Sequence, residues 1–229
     1  MNYADLCYYR GVSLLERFLD PTTVSLKICG VRTPGDANQL VEMGVDALGV
    51  NFWPKSKRYL APEKAGWLRD LADQILRVGV FVNEDPELPL QLVRDGYLDV
   101  VQLHGDESPE EAAPFRAAEV PFIKAIGVKT LADLKRATDY GAAAILLDAH
   151  APGIYGGTGE VFDWEVASDF RRMHPHLPIL LAGGIVPENA GLAAMSVLPA
   201  ALDIASGAEI SPGEKDFQKV AVFLSALHR

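Results

Sequence analysis

Cys29 ends the short apolar run Leu26-Lys27-Ile28-Cys29, and Gly30 and then Thr33-Pro34 follow it, the pattern of a buried strand that runs into a helix. Alternate side chains of a strand share a face, so Lys27 and Cys29 look one way and Leu26 and Ile28 the other. A cation beside a thiol favours thiolate over the reference pKa of about 8.5, which makes Cys29 a candidate reactive thiol as well as a candidate core filler. Asp148 ends a second run, Ile145-Leu146-Leu147, that holds nothing else polar. A desolvated carboxyl in such a place keeps the proton a general acid needs, and the plainer role for it is a backbone cap.

Two further pairs fit an anion. Gly183-Gly184 and Ser206-Gly207 each follow an apolar run. Glycine lets backbone N–H groups approach a ligand closely, and a following helix adds partial positive charge, so the four residues can hold a phosphate dianion without Lys or Arg. A tight strand-to-helix turn explains Gly183-Gly184 alone, but not its recurrence one strand later. Asp203 sits in another apolar run and suits either a substrate contact or an ion pair with Lys27 or Lys124. His104 has no second histidine at ligand spacing and neither Cys7 nor Cys29 belongs to a CxxC, so no metal site is expected; His104 reads as a structural imidazole in the barrel mouth. No dinucleotide fingerprint or P-loop occurs.

The elements that must position these groups recur in about eight cycles of an apolar run followed by a helical pattern. The runs are Leu26 to Cys29, Ala47 to Phe52, Leu76 to Val82, Val100 to Leu103, Phe122 to Ile126, Ala143 to Leu147, Ile179 to Leu181 and Ala201 to Ala205. Helical stretches are expected at Pro34 to Met43, Pro62 to Ala72, Pro86 to Arg94, Pro109 to Ala118, Thr130 to Tyr140, Trp164 to Met173, Pro187 to Val197 and Lys215 to Leu227, several of them opened by proline. Runs with little alternation suit parallel strands covered by helices, and eight cycles predict one (β/α)8 barrel over residues 25–229, not an open doubly wound sheet. In a barrel the active site lies at the carboxyl ends of the strands, where Cys29, Asn51, Asn83, His104, Lys124, Asp148, Gly183 and Ser206 all fall. The loop Tyr155-Gly156-Gly157-Thr158-Gly159 suits closure over a ligand, or a long turn capped at Asp163. Residues 1–24 form an amino-terminal extension, helical from Ala4 to Leu19, in which Cys7 is a small hydrophobe.

The totals narrow the partners. The 229 residues carry 21 Lys+Arg against 31 Asp+Glu, a formal charge of -10, so there is no basic field for nucleic acid or an anionic membrane. Two cysteines imply a reducing compartment, and neither a signal peptide nor a membrane-spanning apolar run is read, so a cytoplasmic protein is expected.

Several blocks together resemble the phosphoribosylanthranilate isomerases. They are KICG at Lys27 to Gly30, NFWPKSKRY at Asn51 to Tyr59, VGVFVNE at Val78 to Glu84, VQLHG at Val101 to Gly105, LLDA at Leu146 to Ala149, YGGTGEVFDW at Tyr155 to Trp164, AGGIVPENA at Ala182 to Ala190, DIASGAE at Asp203 to Glu209 and PGEKD at Pro212 to Asp216. The extension is the departure, because the family begins just ahead of the first strand. The resemblance implies an Amadori rearrangement without cofactor or metal, Cys29 as general base, Asp148 as general acid, and a phosphorylated small molecule as substrate of a monomer or homodimer. It also makes Arg58, otherwise a surface loop charge, the partner of the substrate's benzoate, for which a guanidinium offers two parallel hydrogen bonds. Other readings are another phosphate-binding barrel enzyme, or a barrel that binds a phosphosugar without converting it.

Overall fold

The computed structural model describes residues 12–149 and 163–227. Eight parallel strands close a barrel in chain order: β1 (Ser25–Cys29), β2 (Ala47–Asn51), β3 (Leu76–Phe81), β4 (Val100–Leu103), β5 (Phe122–Val128), β6 (Ala144–Ala149), β7 (Ile179–Leu181) and β8 (Ala201–Ile204), which pairs back onto β1. Each expected run matches its strand to within two residues. The helices are α1 (Leu14–Phe18), α2 (Pro34–Glu42), α3 (Glu87–Arg94), α4 (Ala113–Ala117), α5 (Trp164–Met173), α6 (Pro187–Val197) and α7 (Phe217–Leu227), and an antiparallel ribbon, β9 (Glu209–Ser211) with β10 (Glu214–Lys215), follows β8. No helix among the described residues is long and apolar enough to cross a membrane.

Three expected helices differ. Pro62–Lys64 and Gly66–Leu71 are 3-10 turns, as are Leu131–Leu134 and Ala137–Tyr140, where continuous helices were expected. The stretch from Pro109 is helical only as α4, because Pro114 has no N–H to bond back into a preceding turn and can stand only at a helix start.

Alternation along the strands sorts the core into two shells. Leu26, Ile28, Ile145, Leu147, Leu202 and Ile204 face the helices, while Ala47, Val78, Ile123, Ala144, Leu146 and Ala201 face inward. At the amino-terminal end of the strands α1 closes the barrel. Ser13 caps it reciprocally, accepting from Glu16 N–H at 3.2 Å while its own N–H donates to the Glu16 carboxylate at 2.7 Å. Phe18, 1% exposed, packs with Leu14, Leu15 and Leu19 on an inner cluster that includes the first residues of five strands, Ala47, Leu76, Val100, Ala144 and Ala201. The rest of the expected extension, Ala4 to Gly11 with Cys7, lies outside the described residues.

Candidate active site

The alternation that sends Leu26 and Ile28 outward turns Lys27 and Cys29 into the barrel. Lys27 is fully buried, and its ammonium donates to Asp203 at 2.8 Å; the two residues are register partners on β1 and β8. Of the two lysines expected as partners for Asp203, Lys27 is the one that pairs with it. Gly49, beside Cys29 on β2, supplies the space: a Cβ there would stand 2.9 Å from the Cys29 sulfur and 3.0 Å from the Lys27 nitrogen. Lys27 does pull the Cys29 thiol pKa down, but the expected net lowering is corrected to a rise. Burial pushes the Cys29 thiol up, and the pull of Lys27 is opposed by the Asp203 carboxylate that already neutralises it.

Asp148 faces inward on β6, in phase with Ala144 and Leu146. Its Oδ1 accepts from the Ala149 N–H at 2.9 Å, and its Oδ2 lies 3.3 Å from His104 Nε2. Gln102, fully buried on β4, lies 2.8 Å from His104 Nδ1, so an imidazole read at first as structural touches the candidate acid. Gly183 makes the approach to β6 possible: its φ is +80°, and a Cβ on it would meet Asp148 Oδ1 at 2.9 Å and the Ala149 nitrogen at 2.7 Å. Lys124 is not a mouth residue. It points outward between the inward-facing Ile123 and Ala125, and donates to Glu107 and to the Gly105 carbonyl, both at 2.7 Å. Glu107 also accepts from Asn83 N–H at 2.7 Å, so this pair braces the loops after β3 and β4.

Arg58 lies at the mouth, but not as a free guanidinium. Its stem passes over Gly30, where φ is +78° and a Cβ would stand 2.3 Å from Arg58 Cδ. Nε and Nη2 donate to Glu209 at 2.8 and 2.6 Å, and Lys215 donates to the same carboxylate at 2.7 Å and to the Cys29 carbonyl at 2.6 Å. Sequence reasoning does not single out Glu209 or Lys215 as site residues. Their only signal was membership of the DIASGAE and PGEKD blocks.

Gly183 and Gly184, with φ of +80° and +62°, follow β7, and Ser206–Ala208 forms a 3-10 turn after β8. The two loops touch: a Cβ on Gly207 would stand 2.1 Å from the Ile185 carbonyl oxygen. Among the described residues no backbone carbonyl accepts from the N–H groups of Gly184, Ser206 or Gly207. The structure therefore brings the expected phosphate loops together beside Asp148. The glycine-rich loop Tyr155 to Gly159 lies outside the described residues, while Asp163 caps α5 by accepting from Glu165 N–H at 2.9 Å.

The fold and this mouth define a class: a (β/α)8-barrel enzyme that can move protons on a bound anion, with a thiol and a carboxyl presented from different strands. Comparisons with known proteins narrow it. A family model described as "N-(5'phosphoribosyl)anthranilate (PRA) isomerase" matches residues 26–226. The N-(5'-phosphoribosyl)anthranilate isomerase of Trichlorobacter lovleyi is 43% identical over 203 residues, which span 88% of this chain and 96% of that protein. Among solved structures, the phosphoribosyl anthranilate isomerase of Thermotoga maritima superposes with a TM-score of 0.81 at 40% identity, covering 90% of this chain and 98% of that one. A phosphoribosyl anthranilate isomerase in complex with reduced 1-(o-carboxyphenylamino)-1-deoxyribulose 5-phosphate gives a TM-score of 0.78 at 39% identity, with coverage of 90% and 98%. The chain belongs to the N-(5'-phosphoribosyl)anthranilate isomerase family and is an isomerase of tryptophan biosynthesis.

Proposed function

We propose that Cys29 and Asp148 carry the Amadori rearrangement of N-(5-phosphoribosyl)anthranilate to 1-(2-carboxyphenylamino)-1-deoxyribulose 5-phosphate. Asp148 gives a proton to the ribose ring oxygen, the C1'–O bond breaks, and the nitrogen lone pair forms the protonated Schiff base. Cys29 then removes the C2' proton, the electrons move into C1'=C2', and the enolamine relaxes to the ketone. His104, in contact with Asp148 Oδ2, offers a site from which the acid regains its proton. The observation that carries the reading is that a thiol on β1 and a carboxyl on β6 both turn inward at the same mouth, with β7 and β8 between them on one side.

The phosphate rests on the N–H groups of Gly183, Gly184, Ser206 and Gly207, and the benzoate meets the Nη1 end of Arg58. Asp203 acts as the charge partner of Lys27 beside Cys29 and faces the same cavity as the substrate. The barrel of residues 25–229 is the catalytic domain and residues 1–24 are an extension to it, in keeping with a family match that starts at residue 26. The reading calls for no metal or cofactor and for a phosphorylated small molecule in the cytoplasm as partner, with neither nucleic acid nor membrane; the enzyme works as a monomer or homodimer. The experiment is to add purified protein to freshly made phosphoribosylanthranilate and follow its fluorescence. Rapid protein-dependent decay is expected, and a trace no faster than buffer alone contradicts the assignment.

A further inference from the structure

Glu209 is 5% exposed, and two cationic side chains and one backbone amide meet at it. Oε1 accepts from Arg58 Nε, from Lys215 Nζ and, at 3.1 Å, from Gly213 N–H, while Oε2 takes Arg58 Nη2. Glu209 and Lys215 are register partners in the β9–β10 ribbon, and Lys215 is 4% exposed, so the ribbon serves as their holder. Burial works to raise the Glu209 carboxyl, and Arg58 and Lys215 outweigh it and keep the group below its ordinary value. Glu209 therefore grips the Nε/Nη2 edge of the guanidinium as an anion. The Nη1 group has no acceptor among the described residues.

The charge count explains why a second cation is present. Arg58 paired with Glu209 alone is neutral and would attract a substrate carboxylate weakly. With Lys215 the cluster holds two cations and one anion, a formal +1. Without Glu209, two largely buried cations would face each other, and a long arginine side chain would swing away.

We propose that Glu209, backed by Lys215, is the positioning residue that makes Arg58 a receptor for the substrate's aryl carboxylate: it fixes one edge of the guanidinium, leaves the Nη1 end toward the ligand, and sets selectivity for the benzoate-bearing substrate over the bare sugar phosphate. This rests on the reading of Arg58 given above.

The test is steady-state kinetics on phosphoribosylanthranilate, with inhibition by inorganic phosphate as control, for Arg58→Ala, Glu209→Asp, Glu209→Gln and the double variant Arg58→Ala/Glu209→Asp. Glu209→Asp keeps an anion for Lys215 and so spares the fold, while it withdraws the carboxylate from Arg58; melting curves check this. Expected are a KM raised about tenfold in Glu209→Asp with kcat changed less than about threefold, unchanged phosphate inhibition, and no further rise in KM from Glu209→Asp once Arg58 is alanine. A KM penalty of equal size in both backgrounds, or a parallel loss of phosphate inhibition, overturns the proposal in favour of a structural role. If Arg58→Ala raises KM and Glu209→Asp does not, only the positioning role falls. If Arg58→Ala leaves KM unchanged, the benzoate reading falls and takes the proposal with it.

Discussion

At the amino-terminal end of the strands Phe18, Leu14, Leu15 and Leu19 rest on Ala47, Leu76, Val100, Ala144 and Ala201, and the packing is apolar. At the other end, and just beneath it, Lys27 pairs with Asp203, Arg58 and Lys215 share Glu209, and His104 touches Asp148. Buried ion pairs lose much of their Coulomb energy to desolvation, whereas buried apolar area stabilises directly. The difference teaches that the floor contributes stability and the mouth contributes chemistry. Substitutions at the two ends should therefore separate fold from rate.

The largest effect that could break this separation is at the mouth. Cys29→Ala and Asp148→Asn should each lower kcat by about 10²–10⁴, the range for loss of a general acid or base, with melting temperature and product-analogue affinity close to the parent. A variant that loses both rate and fold would give the mouth a structural role. Next comes the floor: Phe18→Ala should cost about 3 kcal/mol of unfolding free energy by denaturant titration while leaving kcat/KM within about twofold. A large rate loss there, in protein that is still folded, would mean the two ends are coupled. Arg58→Ala should weaken a benzoate-bearing ligand about tenfold or more, measured by calorimetry, and leave inorganic phosphate affinity nearly unchanged.

The smallest effect sharpens the electrostatics of the mouth. Burial raises the Cys29 thiol pKa, Lys27 pulls it down and Asp203 pushes it up. A base that acts as thiolate gives a kcat/KM that rises with pH through that raised value. Lys27→Met should move this limb to higher pH, and Asp203→Asn should move it to lower pH. Shifts of the same sign in both variants would exclude Cys29 as the titrating group.

The floor and the mouth were not equally legible in the sequence. All eight strands could be read because parallel strands covered on both faces are plain apolar runs. Cys29 and Asp148 stood out as the polar ends of such runs, and strand alternation correctly put Lys27 on the face of Cys29. What escaped depends on contacts with no local pattern. Arg58 and Glu209 are separated by 151 positions, so nothing near Arg58 announced that one edge of it is held. Gly49 has no side chain to single it out, and its role shows only through its neighbour across the sheet, Cys29. Adjacency along the strand reveals the lysine beside the thiol, but not the burial or the β8 aspartate that raise its pKa. Residues 1–24 read as an extension, helical from Ala4 to Leu19, and sequence could not reveal that Phe18 sits on the inner cluster of the barrel.

The most direct test of the central claim is a single turnover by Cys29→Ala mixed in excess with phosphoribosylanthranilate. The account predicts that the substrate binds, as a change in its fluorescence polarisation, and that product then forms at least about 10²-fold more slowly than with the unaltered enzyme, because ring opening at Asp148 is reversible and no base removes the C2' proton. Conversion at the rate of the unaltered enzyme would contradict it.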